Sequence, residues 1–242
     1  MNALLETRGV HVAFGDDVVL RGIDLRIAQG EWVALIGPNG SGKTTLLRAL
    51  VGMVALSTGS VSIGGHDLEA QPRQAKAAVG FAIDPERLPG LLTGRECLGL
   101  FAGARGLPEV PRSTVSLAEA LALAPVLDRR VANYSLGMRQ KLGILLGLIG
   151  EPPLLLLDEP FNGLDPRSAL VFKQHLDALV VRGGTSVLVA THSLDIAERH
   201  ASKVVLLTEG RVRHIWDAIE LAAMHEHPER SLEQAMAEAC GS

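Results

Sequence analysis

The segment Gly37-Pro-Asn-Gly-Ser-Gly-Lys43-Thr44 fits the pattern Gly-x-x-x-x-Gly-Lys-Ser/Thr, and the chemistry of that pattern is the holding of phosphate groups. Its glycines let consecutive backbone N–H groups turn inward around phosphate oxygens, a helix start adds partial positive charge, and Lys43 supplies a point charge for the β and γ phosphates. The Thr44 hydroxyl is the expected magnesium ligand. Far downstream, Asp158-Glu159 closes the apolar run Leu154-Leu-Leu-Leu157. A carboxylate at that place can hold magnesium opposite Thr44, directly or through water, and Glu159 then faces the attacking water. Taken alone, an acidic pair at a strand end reads as a solvated cap; the phosphate-binding pattern upstream favours the functional reading.

Such groups need rigid elements behind them. Trp32-Val-Ala-Leu-Ile36 reads as a short apolar strand, Gly37 to Gly42 cannot continue it, and Lys43 to Leu50 has helical character, which gives strand, glycine-rich loop, helix. The Leu154 to Leu157 run follows Pro152-Pro153 and suits a strand buried on both faces, hence a parallel sheet. Asp165-Pro166 is an N-cap followed by proline at the first helical position. Leu170, Phe172, Leu176, Leu179 and Val180 then recur near helical spacing up to Gly183-Gly184. Thr185 to Ala190 reads as a strand ending at Thr191-His192, and a short helical piece leads to another strand over Lys203 to Thr208. Between about Arg87 and Gly150 strands disappear and helical signals dominate, including an expected capping box of Ser116 with Glu119. That stretch reads as a helical insertion separating two halves of an α/β core.

Composition sets the outer limits. The 242 residues are 47% hydrophobic, 21% charged and 3% aromatic, enough for a sizeable core and incompatible with disorder or collagen-like repeats. A net charge of -4 gives no electrostatic footprint for sequence-independent nucleic-acid binding, and no nucleic-acid partner is expected. Two distant cysteines, Cys97 and Cys240, form neither a disulfide framework nor a thiolate metal site and suggest a reducing compartment. The longest apolar stretch, Leu142 to Ile149, is less than half a membrane span, so no bilayer crossing is expected. His225-Glu-His-Pro-Glu-Arg offers two histidines without a third ligand in view and reads as a solvated turn, and Ser231 to Ala239 as a closing helix.

With Tyr134-Ser-Leu-Gly-Met-Arg-Gln140 the motif order resembles the nucleotide-binding subunit of an ATP-binding cassette (ABC) transporter over roughly residues 4 to 215. The family's Leu-Ser-Gly-Gly-Gln signature has its place at Tyr134 to Met138, with Ser135 and Gly137 retained. The resemblance implies an α/β fold: a P-loop NTPase core with a mostly parallel sheet, N-terminal antiparallel strands and an inserted helical subdomain. It puts the ATP-binding core at 1–86 and 151–215, the helical subdomain at 87–150 and a C-terminal helical tail at 216–242. It places Gly37, Pro38, Asn39, Gly40, Ser41, Gly42, Lys43, Thr44 and Thr45 in the Walker A loop, Asp158 and Glu159 in Walker B, and Asp165 in the D-loop after Gly163-Leu164. His192 becomes the switch histidine, and Phe14 resembles the aromatic that stacks on adenine. Each weaker member also has a plainer reading: Phe14 as core filling, Ser135 as a helix cap, His192 as a satisfied strand-end residue. One departure concerns the family's glutamine at the end of the strand before the helical region. Asp84 stands there, a third prospective magnesium ligand or simply the cap of the following turn.

By the resemblance the activity is ATP hydrolysis with magnesium, Glu159 orienting or deprotonating water while Lys43 and His192 attend the γ-phosphate. Ser135 and Gly137 lie too far from their own Walker A loop and would complete the site of a second subunit, giving a head-to-tail dimer. The expected partners are that second copy and an integral membrane permease, with the chain cytoplasmic and peripheral at the inner face of the membrane. Tyr-Ser-x-Gly-Met-Arg-Gln with a non-glutamine at Asp84 looks most like subunits of exporters. A non-transport ABC protein of translation or DNA repair is the first alternative and lacks its usual second cassette or coiled-coil insertion here. A P-loop kinase is the second and would leave the signature and Thr191-His192 unexplained.

Overall fold

The computed structural model describes residues 3–226 and 231–241. Two long strands open the chain, β1 (Ala3–Phe14) and β2 (Asp17–Ala28), followed by β3 (Trp32–Ile36) and α1 (Lys43–Leu50). Then come β4 (Thr58–Ile63), β5 (His66–Asp67), α2 (Pro72–Ala77) and β6 (Val79–Phe81). Three helices follow without a strand between them: α3 (Gly94–Ala104), α4 (Arg112–Ala120) and α5 (Leu136–Leu148). The chain returns through β7 (Leu154–Asp158), α6 (Pro166–Val181), β8 (Ser186–Ala190), α7 (Leu194–His200), β9 (Lys203–Thr208) and β10 (Arg211–Trp216). Helices α8 (Ala218–Glu226) and α9 (Leu232–Gly241) complete the described chain.

Two sheets result. The larger has the order β10-β9-β3-β8-β7-β6 and is parallel except for β10, while β2-β1-β4-β5 is antiparallel throughout. The central strands are apolar on both faces because both faces are covered. Alternation along them divides the core: Ala34, Leu155, Leu157, Val187, Val189 and Leu206 face one cluster with the helical region and α6. Val33, Leu35, Leu154, Leu156, Leu188 and Val205 face the other, with α1 and the antiparallel sheet. Each such fully buried Val or Leu side chain contributes about 1.5–3 kcal/mol, so this sheet is a stiff base for whatever its ends carry.

The ends matter most. Since β3 pairs in parallel with β8, and β8 with β7, the carboxyl ends of all three open at one edge. Gly37, Thr191 and Asp158-Glu159 therefore emerge side by side in the crevice where open α/β sheets bind ligands.

The expected capping box at Ser116 and Glu119 is corrected. Pro111 is the N-cap and α4 begins at Arg112, so Ser116 lies in the middle of α4 and cannot cap it. A complete box stands instead at the head of α3, where Thr93 Oγ1 accepts from Glu96 N and Glu96 accepts from Thr93 N at 2.7 Å. The closing helix begins at Leu232, with Ser231 Oγ accepting from Gln234 N at 3.2 Å. Of the stretch His225 to Arg230, residues 227–230 lie outside the described residues and 225–226 end α8. Among the described residues, no helix is long and apolar enough to cross a membrane.

Candidate functional site

The loop between β3 and α1 is built by close backbone approach. Gly37 has φ of +153°, and a Cβ on it would lie 2.0 Å from the Leu207 carbonyl oxygen of β9, so only glycine lets the chain turn here. Gly42 sits at φ +105° directly before α1, so the first free N–H groups of that helix face the loop. Ser41 N donates to Pro38 O at 3.2 Å and closes the turn, and Gly210 N donates to Ser41 O at 3.1 Å, tying it to the β9–β10 turn. Pro38, Asn39 and Gly40 are exposed at the rim, whereas Ser41 is buried and its Oγ has no hydrogen-bond partner. Thr45, on the first turn of α1, is half-buried.

Lys43 is 7% exposed and donates through Nζ to the carbonyls of Gly37 (2.7 Å) and Pro38 (3.0 Å). Burial pushes its pKa down, partly offset by the neighbouring carboxylates of Glu159 and Asp158. Burial likewise raises the pKa of Asp158, opposed by a hydrogen bond from the Thr44 hydroxyl, while the Glu159 charge adds to the rise. A desolvated ammonium, an orphaned buried hydroxyl at Ser41 and a desolvated carboxylate beside a threonine hydroxyl leave this crevice short of an anion and a cation together. That donor set fits a phosphate with magnesium, a hard cation that takes few protein oxygens and keeps the rest of its shell as water and phosphate.

Glu159 follows in the left-handed region, φ +43°, held there by its N–H donating to Ala190 O at 2.9 Å. Its carboxylate accepts from His192 Nδ1 at 2.9 Å and from the Thr191 hydroxyl at 3.4 Å. Thr191 is fixed by its own N–H to Leu35 O, 3.0 Å, so β3, β7 and β8 position the group jointly. A cavity of about 610 Å³ opens beside it, lined by Thr44, Asp158, Glu159, Asp84, Gln140 and Phe81 among others. Asp84 caps the turn that follows, its Oδ1 accepting from Glu86 N at 3.0 Å, and its Oδ2 lies 3.8 Å from the Arg48 guanidinium on α1. It stands where it does because Gly143 and Gly147 let α5 press on the segment after β6; a Cβ on Gly143 would meet Ile83 O at 2.2 Å.

Walker A residues, Asp158, Glu159, His192 and Asp84 are thus gathered at one edge. Ser135, Gly137 and Asp165 form a second group at the start of α5. Ser135 caps that helix, Oγ accepting from Met138 N at 3.3 Å, and Asp165 caps α6 through Ser168 N at 2.9 Å. The other oxygen of Asp165 accepts from the Ser168 hydroxyl at 2.7 Å and from Lys141 Nζ at 2.9 Å, and these bonds hold its carboxyl well below the usual range. Phe14 stands apart at the end of β1, 55% exposed, which removes the core-filling reading and leaves a ring open for stacking. Sequence reasoning named Gln140 only as the end of the signature segment and assigned no role to Arg48 or Lys141; the partners of all three lie far away along the chain.

The profile of the ABC transporter family matches residues 20–162, and an AAA-domain profile matches residues 127–198. An uncharacterized ABC transporter ATP-binding protein of Bacillus subtilis is 37% identical over 87% of this chain and 68% of its own length. The Nod factor export ATP-binding protein I of a Rhizobium species is 34% identical over 86% of this chain and 68% of its own length. Among solved structures, an ATP-binding subunit of an ABC transporter superposes with a TM-score of 0.87 at 30% identity, covering 98% of this chain and 99% of the other. A P-loop crevice, a parallel core and these matches agree: the chain belongs to the ABC transporter family, as an ATP-binding subunit with ATPase activity.

Proposed function

We propose that this ATPase energises an exporter through a separate integral membrane permease, working as a head-to-tail homodimer at the cytoplasmic face of the membrane. The observation that carries the catalytic part is the convergence of Lys43, Thr44, Asp158, Glu159 and His192 at the carboxyl edge of β3, β7 and β8. Export is supported by the name of the Nod factor relative and by the Tyr134 to Gln140 sequence with Asp84 in place of glutamine. A net charge of -4 gives no reason to expect a nucleic-acid partner.

In this reading Phe14 stacks on adenine, the Gly37 to Gly42 amides with Ser41 and Thr45 surround the phosphates, and Lys43 bridges the β and γ groups. Thr44 and Asp158, with Asp84 on the wall of the same cavity, would hold magnesium, and Arg48, 3.8 Å from Asp84, would offset the extra charge that an aspartate brings. Bound magnesium would neutralise charge building on the phosphates. Glu159 takes a proton from the water whose oxygen bonds to the γ-phosphorus as the bond to the β-γ bridging oxygen breaks and ADP leaves. With His192 Nδ1 turned to Glu159, Nε2 is the nitrogen left for the γ-phosphate, to which it donates when the ring carries a proton on both nitrogens. Ser135, Gly137 and Asp165 do not line the cavity of their own Thr44 and Glu159, and we assign them to the nucleotide of the second copy. Residues 87–150 would then act as the helical subdomain that carries the signature to that copy, and 216–242 as a tail.

Size by light scattering of the Glu159→Gln protein, with and without magnesium-ATP, tests the shared site. The expected result is a dimer only with nucleotide; a protein that binds ATP and stays monomeric refutes the homodimer.

A further inference from the structure

Helix α5 grips the segment between Glu159 and Asp165 at three points. Gln140, a buried residue, donates through Nε2 to Pro160 O at 3.1 Å. Lys141 donates to Asp165 Oδ2 at 2.9 Å. Gly137 lies so close that a Cβ on it would sit 2.7 Å from Gly163 O. Between these anchors the segment has only short turns of its own, Asn162 N to Glu159 O at 3.1 Å and Leu164 N to Phe161 O at 3.2 Å, with Phe161 tilted on Phe172.

The pair sits at the protein's edge: the Lys141 side chain is 12% exposed, its aliphatic stem packed, against 53% for Asp165, whose carboxylate is open to solvent. The same carboxylate caps α6 at Ser168, so it cannot swing away without opening that helix end. The carboxyl is held below its usual range by these partners and stays ionised at neutral pH.

We propose that Lys141 and Gln140 are positioning residues that join α5 to the Glu159–Asp165 segment as one body. Engagement of one copy's nucleotide by Ser135 and Gly137 of the other thereby fixes Glu159 in the latter's own site. This rests on the shared-site reading above. Packed and hydrogen-bonded groups run without a break from the start of α5 to Pro160, the residue after Glu159.

Hydrogen exchange over residues 159–165 tests it in the Glu159→Gln protein, with and without magnesium-ATP, alone and with Lys141→Met, which keeps the aliphatic stem. Dimer formation is expected in both, but the segment should become at least about tenfold slower to exchange only where Lys141 is present, and Lys141→Arg should restore the slowing. In the wild-type Glu159 background, Lys141→Met should lower kcat about tenfold while KM for ATP changes less than about twofold. Equal protection in the Lys141→Met dimer overturns the proposal. Failure of the Glu159→Gln parent to dimerise overturns the shared-site reading itself, and the proposal with it. If Lys141→Met does not fold, Lys141→Gln, which keeps a polar end but removes the charge, is read the same way.

Discussion

Replacing Glu159 by Gln changes one atom at the centre of the crevice, and the structure sets what that should cost. The amide keeps the length of the side chain and an oxygen that accepts from His192 Nδ1, 2.9 Å from the carboxylate it replaces, so the positions of His192 and Thr191 survive. What is lost is the basic carboxylate, and a positioned general base contributes about 10²- to 10⁴-fold, or roughly 2.7–5.5 kcal/mol of barrier. Binding responds differently. The Glu159 charge raises the pKa of Asp158 through repulsion, and its removal relieves that strain and the repulsion on an incoming phosphate. At a part-exposed site one charge is worth no more than about 1 kcal/mol, so ATP affinity should hold or improve by up to roughly fivefold. Calorimetric titration with magnesium-ATP, paired with single-turnover release of phosphate, separates the two quantities. Turnover within about threefold of wild type would refute Glu159 as the group acting on water. A fall in affinity that matches the fall in turnover would refute the division between binding and chemistry.

Lys43→Ala removes the buried ammonium, and with it charge-assisted bonds worth about 1.5–3 kcal/mol, so ATP affinity should fall roughly tenfold to 150-fold by the same titration. Phe14→Ala should weaken adenine nucleotides by about 1–3 kcal/mol while leaving inorganic triphosphate unaffected, and the melting temperature should not move because the ring is already 55% exposed. Asp165→Asn should lower the melting temperature at neutral pH, read by thermal scans across pH. The folded carboxyl titrates below its ordinary 3.8, so the stability it gives is fully present above that value and lost as pH falls below it toward the folded pKa; the mutant deficit should therefore shrink below pH 3.8.

What could be read from the chain was what local chemistry dictates. Gly37 to Thr44 and Leu154 to Glu159 declared themselves because glycine at that spacing before Lys-Thr suits little besides a phosphate cradle, and an all-leucine run ending in acids suits a strand covered on both faces. Asp165-Pro166 gave the start of α6 to the residue. The capping box went to the wrong pair because Ser116 and Glu119 satisfy the same spacing as Thr93 and Glu96, and only the backbone decides: Thr93 is an extended N-cap, whereas Ser116 lies inside α4, which begins at Arg112. Arg48 with Asp84, Gln140 with Pro160 and Lys141 with Asp165 are tertiary pairs, set by how α1 and α5 lie on the sheet, and no local pattern announces them.

The left-handed backbone of Glu159 has an evolutionary consequence. A non-glycine residue at φ +43° costs on the order of 1 kcal/mol or more, a burden that glycine at the same place would shed. A library selected only for heat resistance would therefore drift toward Glu159→Gly, gaining stability by discarding the group on which hydrolysis is proposed to depend. Conservation of an acid there, against that pull, would be the trace of selection for turnover, and thermal screening of this chain needs an activity gate at that single codon.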